Sequence, residues 1–335
     1  MSTPDVAVIG GSGFYTFLED PEQVDVDTPY GPPSAPVSIG QVGDRTVAFL
    51  PRHGADHRYP AHRVPYRANL WALRSLGVRQ VLAPCAVGGL RPELGPGSFV
   101  VPDQLVDRTS GRMQTYYDTG AVHVSFADPY CERLRSHLLD GLADQQPTDG
   151  GAMVVIEGPR FSTRAESRWY ADQGWAVVNM TGHPEAVLAR ELALCYATVA
   201  LVTDHDAGVD DGAGGHGEAV SMEAVFQVFR EHTDTLKSTL ATVVGTLAST
   251  CGSPSAGTRW SVSTPTCRWP TDRALATPRR PTCTCSTCAT PPRPSSTPSS
   301  TGSTSCATRP RWSATASTRR TFPTTRRTTT SAPPP

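Results

Sequence analysis

The stretch "ATVALVTDHDAG" (residues 197–208) decides how the rest of the chain is read. Its first half, Ala197 to Val202, shows no alternation of polar and apolar residues, which is the pattern of a strand buried on both faces. It then runs into two carboxylates one residue apart, Asp204 and Asp206. Valine-rich runs of the same kind recur at "VAVI" (6–9), "VAFL" (47–50), "VLA" (81–83), "SFVV" (98–101), "MVVI" (153–156) and "AVVN" (176–179). Helical segments fall between them. "PYRANLWALRSLG" has Pro65 in a first-turn position and stops at Gly77. "DPYCERLRSHLLDGL" offers Asp128 as a cap followed by Pro129, and "TRAESRWYADQG" carries a Thr163–Glu166 capping box. In "MEAVFQVFREHTDTLKSTLATVVGTL", Val225, Phe229, His232, Leu236, Leu240, Val243 and Leu247 form one stripe. Alternating strands and helices predict a single α/β domain with a central mixed sheet flanked by helices.

That domain is expected to span residues 1–250. From about residue 251 Thr, Ser, Pro, Arg and Cys dominate, Val, Ile, Leu and Phe all but vanish, and periodicity is lost. Twelve arginines against one acid, Asp272, leave this tail at +11, so the first 250 residues carry −12 of the chain's net −1. Such a composition cannot bury a core and is expected to be disordered. It reads as coding sequence translated out of frame, with a basic nucleic-acid-binding tail as the rival reading. Cys283, Cys285 and Cys288 fit no common zinc spacing, and no histidine follows His232. Cys85, Cys131 and Cys195, scattered in the body, are expected to be reduced thiols of a cytoplasmic protein. The first residues lack a signal-peptide pattern, and no apolar run approaches the ~18 residues of a membrane helix.

Five motifs lie at or just after predicted strands. "VAVIGGSGFY" (6–15) is a strand and a glycine turn whose backbone N–H groups and Ser12 suit an anion. It is neither a Walker loop nor a good dinucleotide fingerprint, since no Gly-Lys follows and the third glycine is missing. "LPRHGADHRYPAH" (50–62) supplies Arg52, a natural partner for phosphate oxygens, together with His53 and His57. "APCAVGG" (83–89) puts small residues, Cys85 and Ala86, at a strand end, where a ligand can approach backbone N–H groups. "EGPRFSTRAES" (157–167) places Phe161 at the mouth of a helix, where it can stack on a planar ring. "VVNMTGHPEAVLARE" (177–191) ends a strand on Asn179, Met180 and Thr181, the kind of place where open α/β sheets bind ligands. Taken singly, each motif has a structural alternative: a tight turn, a solvated loop with one ion pair, core packing, or a cap with a surface charge.

Taken in order, "GGSGFY", "RHG", "EGPRFSTRAES", "NMTGHPEAVLARE" and "TDHDAG" resemble the trimeric purine nucleoside phosphorylases over residues 5–250, and within them the S-methyl-5'-thioadenosine phosphorylase branch. The resemblance implies a partly barrel-like mixed sheet and phosphorolysis of S-methyl-5'-thioadenosine or a related purine nucleoside. The products would be adenine and 5-methylthioribose 1-phosphate. Inorganic phosphate is then the co-substrate, and neither metal nor other cofactor is needed. The resemblance assigns phosphate contacts to Ser12, Arg52, His53, Cys85, Ala86 and Thr181, and the base face to Phe161. It places Asn179 and Met180 by base and ribose, His57, Met222 and Val225 around the 5' substituent, and His123 in the neighbouring subunit's site. Asp204 and Asp206 would meet the purine N7 and N6 edge.

Adenine offers an N6 donor and an N7 acceptor there. One carboxylate can accept from N6 and a protonated carboxyl can donate to N7, whereas a 6-oxopurine would oppose two acceptors. Which acid takes which role stays open. Cys85 stands where threonine is usual in the family, and the family's C-terminal lid helix falls in the tail. The alternatives are a 6-oxopurine nucleoside or methylthioinosine phosphorylase, and a catalytically impaired remnant. A homotrimer is expected, with no membrane and no nucleic-acid partner.

Overall fold

Thirteen strands and five helices carry the described residues, 3–209 and 220–248, of this computed structural model. The strands are β1 (Val6–Gly10), β2 (Glu22–Val24), β3 (Val37–Val42), β4 (Arg45–Pro51), β5 (Gln80–Leu82), β6 (Cys85–Gly89), β7 (Phe99–Val101), β8 (Gln104–Arg108), β9 (Thr148–Asp149), β10 (Ala152–Ile156), β11 (Val177–Asn179), β12 (Cys195–Ala197) and β13 (Ala200–His205). The helices are α1 (Tyr66–Ser75), α2 (Glu132–Gly141), α3 (Arg164–Asp172), α4 (Gly182–Glu191) and α5 (Met222–Thr246). Every described residue belongs to one compact unit. The expected disordered tail of residues 251–335 lies outside the described residues.

One six-stranded sheet runs β12-β5-β1-β4-β3-β2, and one seven-stranded sheet runs β8-β10-β11-β6-β13-β7-β9. Both mix parallel and antiparallel pairs. In the first, β1 is parallel to β4 and β5 while β3 is antiparallel to β4. In the second, β13 is parallel to β6 and antiparallel to β7. Three chain segments join the sheets: β11 returns to β12 through α4, and the other two are short. β5 passes into β6 through Ala83 and Pro84 alone, and β12 into β13 through Thr198 and Val199 alone. The Ala83 N–H donates to the Ala197 carbonyl at 2.9 Å and the Cys85 N–H to the Val199 carbonyl at 3.0 Å, so the ladder continues across the bend. The result is a mixed, partly barrel-like sheet. The segment read as one strand, 197–202, is thus divided between two sheets. Cys85 and Ala86 begin a strand rather than ending one.

Of the four helices expected from the sequence three follow their signals, and α4 is a fifth that those signals did not mark. α1 starts after Pro65 and stops before Gly77, whose φ of 106° suits a helix C-terminus. The Thr163–Glu166 capping box forms at the head of α3. On α5 the predicted stripe is the buried face, with Val225, Phe229, Leu236, Leu240 and Val243 in the core. α2, however, begins at Glu132 and not near Asp128. Tyr130 is buried and the Cys131 N–H donates to the Tyr196 carbonyl at 2.8 Å, so these residues serve the sheet before the helix starts. Cys85 and Cys131 are free thiols. Cys195 is disulfide-bonded, which corrects the expectation of a reduced thiol there. Among the described residues no helix is long and apolar enough to cross a membrane.

The end of α5 is fastened by side chains. Arg45 Nη1 donates to the Leu247 carbonyl, and Gln80 Nε2 donates to the Ala248 carbonyl at 3.0 Å. Gln80 is fully buried and accepts from Arg133 Nη2 at 2.6 Å. Replacing Gln80 with Ala removes both bonds and leaves a gap at a fully buried position. The expected loss is about 1–3 kcal/mol of stability, read from urea denaturation at an unchanged m-value.

Candidate active site

One cavity of about 270 Å³ gathers residues from β6, β10, β11, β13, α5 and the loops that follow β1, β4, β10 and β11. Every residue singled out from the sequence lines it except His123, which lies exposed in the loop between β8 and α2, outside the cavity of its own chain.

The anion end forms where β1 and β4 finish side by side. The turn after Gly10 brings Ser12 to the cavity, and the Arg52 N–H donates to the Gly10 carbonyl at 2.8 Å. Gly11 is required by close approach. A Cβ there would stand 2.9 Å from Arg52 Nη1 and 3.0 Å from the Pro84 carbonyl. Arg52 is 1 % exposed, and Glu185 of α4 takes its fork: Nε to Oε2 at 2.6 Å and Nη2 to Oε1 at 2.8 Å. Further bonds run to the Pro84 carbonyl at 3.2 Å and the Ile9 carbonyl at 3.4 Å. Four of the five donors are therefore engaged. The bidentate grip expected for phosphate is made with Glu185 instead, leaving one Nη1–H. Burial alone would lower the arginine pKa, but the Glu185 charge outweighs it and the guanidinium is held firmly protonated.

His53 is 6 % exposed and doubly tied to Tyr59: the Tyr59 N–H donates to the His53 carbonyl at 3.1 Å, and His53 Nδ1 meets the Tyr59 carbonyl at 2.8 Å. Burial, then the Arg52 charge, lowers its pKa to about 3, so the ring is neutral. His57 stacks on it with centroids 4.5 Å apart, and the Tyr15 hydroxyl lies 2.7 Å from His57 Nδ1. Cys85 is buried beside Thr198, and burial raises its pKa, keeping a neutral thiol next to the anion end. Ala86 follows it on the cavity wall.

Thr181 precedes α4. The Asn179 carboxamide oxygen accepts from the Thr181 and Gly182 N–H groups, both at 2.7 Å, and its Nδ2 donates to the Ala86 carbonyl at 3.1 Å. Asn179 thus lines the cavity but uses its polar atoms to fix the β11–α4 corner against β6.

At the other end stand the two acids. The pairing of β13 with β6 slips between Val202 and Asp204, so Thr203 is an extra residue in the ladder. Thr203 turns inward and donates to the Val87 carbonyl at 3.2 Å and to Asp204 Oδ2 at 2.9 Å. Gly88 makes room for both carboxylates: a Cβ there would be 3.2 Å from Asp204 Oδ1 and 3.3 Å from the Asp206 Cβ. Burial, reinforced by the Asp206 charge, raises the Asp204 pKa to about 6, and the Thr203 hydrogen bond opposes the shift. Burial also raises that of Asp206, tempered by the nearby Ser167 and Ser162 hydroxyls. Even so, Asp206 Oδ2 and Ser162 Oγ are buried with no well-formed hydrogen bond. Phe161 and Met180 border this end; Val225 and the half-exposed Met222 border the mouth.

Three residues that sequence reasoning missed hold the site together. Glu185 sits inside a quoted motif, but nothing local marks it as the partner of Arg52. Gly88 reads as one small residue among several. Arg112, in a loop without pattern, donates to the carbonyls of Met180 at 2.9 Å, His183 at 2.6 Å and Glu157 at 2.7 Å, tying the end of β10 to the start of α4. Among the described residues no group of His, Cys, Asp and Glu could hold a metal ion.

Known proteins share this architecture. A family model described as the Phosphorylase superfamily matches residues 5–247. An S-methyl-5'-thioadenosine phosphorylase from Mycolicibacterium smegmatis is 68% identical over 225 residues, 66% of this chain and 84% of that protein. A purine nucleoside phosphorylase from Streptomyces coelicolor is 57% identical over 254 residues, 72% of this chain and 89% of that protein. The solved structure of a methylthioadenosine phosphorylase from Schistosoma mansoni in complex with adenine superposes with a TM-score of 0.68 at 37% identity, covering 72% of this chain and 91% of that one. With its glycine turn, buried arginine and paired aspartates in one cavity, the chain belongs to the phosphorylase superfamily.

Proposed function

We propose that the chain catalyses phosphorolysis of a 6-aminopurine nucleoside, S-methyl-5'-thioadenosine foremost, with inorganic phosphate as co-substrate and no metal. The observation that carries this reading is the pair of buried carboxylates around Gly88, one of them with an oxygen that lacks a partner. Asp204, with a pKa of about 6, is poised to give up a proton near neutrality, and Asp206 Oδ2 is free to accept from N6. In the reaction the C1'–N9 bond breaks and its electron pair passes to the base. A phosphate oxygen bonds C1', and the Asp204 proton ends on N7, so adenine leaves neutral. Phe161 and Met180 pack on the base. Met222 and Val225 offer an apolar mouth that suits a methylthio group better than a hydroxyl. A 6-oxopurine would set O6 against the acceptor at Asp206, so that alternative has less support. Ser12, Thr181 and the single Nη1–H of Arg52 contact the phosphate.

The reading includes a homotrimer. His123 is exposed and outside its own cavity, which suits a residue that serves a neighbour. Light scattering on the active protein is expected to give the mass of three chains, and an active monomer would contradict it.

The test of the reaction is steady-state kinetics. Wild type is expected to favour S-methyl-5'-thioadenosine over inosine by ~10² or more in kcat/KM. Asp204→Asn should lower kcat on both substrates by about 10²–10⁴. Asp206→Asn should narrow the preference, since an amide can donate to O6. A wild type that prefers inosine would overturn the assignment.

Two further outcomes concern stability. Glu185→Gln leaves a buried arginine charge unpaired, with an expected loss of about 3–5 kcal/mol by denaturant titration. Asp204 acts in the opposite sense. Its folded pKa is above the unfolded one, so the native state holds the proton more tightly. Stability is therefore lost as pH rises from the unfolded value to about 6 and stays lower beyond. Asp204→Asn should melt above wild type at about pH 8, with the gap narrowing at about pH 5.

A further inference from the structure

The anion end contains a histidine whose protonation state is fixed by geometry. A backbone carbonyl only accepts, so the 2.8 Å contact to the Tyr59 carbonyl requires the proton of His53 to sit on Nδ1. The nitrogen left for the cavity is Nε2, a bare lone pair. A second proton there would place a cation in the interior beside the buried Arg52 and against the stacked ring of His57. Among the described residues no carboxylate next to Arg52 can supply the compensating charge. Glu185 is held by Arg52 and by the Tyr196 hydroxyl at 2.8 Å. Asp56 pairs with Arg58 on the surface, and Asp204 and Asp206 flank Gly88 at the base end. The burial and charge that lower the His53 pKa act in the same direction.

We propose that this end of the cavity selects an oxyanion that carries its own proton, inorganic phosphate over sulfate, by accepting that proton in a hydrogen bond at His53 Nε2. The inference rests on the phosphate reading above and adds to it which oxygen, protonated or not, meets which group. Hydrogen phosphate near neutral pH has one O–H to donate to Nε2, while its other oxygens face the donors of Ser12, Thr181 and Arg52. Sulfate at the same pH has none. It must oppose lone pair to lone pair or bind together with a proton on His53, and either route weakens it.

Calorimetric titration of the full chain with sodium phosphate and sodium sulfate, at matched ionic strength and near neutral pH, reads this directly. Phosphate is expected to bind about tenfold or more tightly, the scale of one opposed polar contact. In His53→Gln the amide can turn an N–H toward either anion, so the two affinities should converge. Nitrogen NMR of the phosphate-bound wild type gives a second reading that needs no variant: His53 Nε2 should keep the shift of an unprotonated acceptor. Equal affinities in wild type, retained selectivity in His53→Gln, or a protonated Nε2 would each overturn the inference while leaving phosphorolysis standing. Binding of neither anion, with no phosphorolysis, would overturn the phosphate reading and the inference with it.

Discussion

The buried ion pair between Arg52 and Glu185 is the interaction on which the rest of the site depends. A lone guanidinium with 1 % exposure would be far too costly in a protein interior, and Glu185 makes it tolerable by taking two of its donors. The remaining bonds reach the Ile9 carbonyl of β1 and the Pro84 carbonyl between β5 and β6. Glu185 is held in turn by Tyr196 of β12. One cation therefore gathers β1, β4, the β5–β6 bend, β12 and α4 at the place where the two sheets meet. The cavity opens beside that junction, so its anion end inherits the rigidity of the core.

The acid end is built by a different device. A regular strand would carry Asp204 and Asp206 on one face with ordinary spacing. The extra residue at Thr203 shifts the ladder, turns a hydroxyl inward to hold Asp204, and leaves both carboxylates around a glycine. Burial then does the electrostatic work, since charged carboxylates in a poorly hydrated wall favour the protonated form. The two ends are thus opposite in design. At one a charge is kept by pairing, and at the other it is made easy to neutralise.

Between them lies a polar frame whose hydrogen bonds go to backbone groups. Asn179 fixes the β11–α4 corner to β6, and Arg112 fixes the end of β10 to that same corner. Phe161 and Met180 are carried on the backbone so fixed. In a phosphorylase, where attacking anion and leaving base sit on opposite sides of one carbon, such bracing sets the distance between the groups that act on each.

The sequence by itself determined the class of fold and most helix signals, and nearly all the site residues it singled out line the cavity. Valine runs without alternation mark doubly covered strands, and the capping box of α3 and the stripe of α5 are local chemistry that tertiary contacts did not override. α2 shows the limit: its head is displaced because the Cys131 N–H pairs with Tyr196, a partner far away in sequence. The same limit governs the site. Arg52 was readable as an anion binder, but its fork is filled by a residue of α4. Asn179 was readable as a strand-end polar group, but its amide serves backbone. The inward Thr203 and the space at Gly88 follow from contacts across strands, and the tautomer of His53 from a loop that folds the Tyr59 carbonyl back onto it. Residue types and their order are written along the chain. Which donors remain free, and which charges are buried, depends on what the fold brings alongside them, and only the tertiary structure decides it.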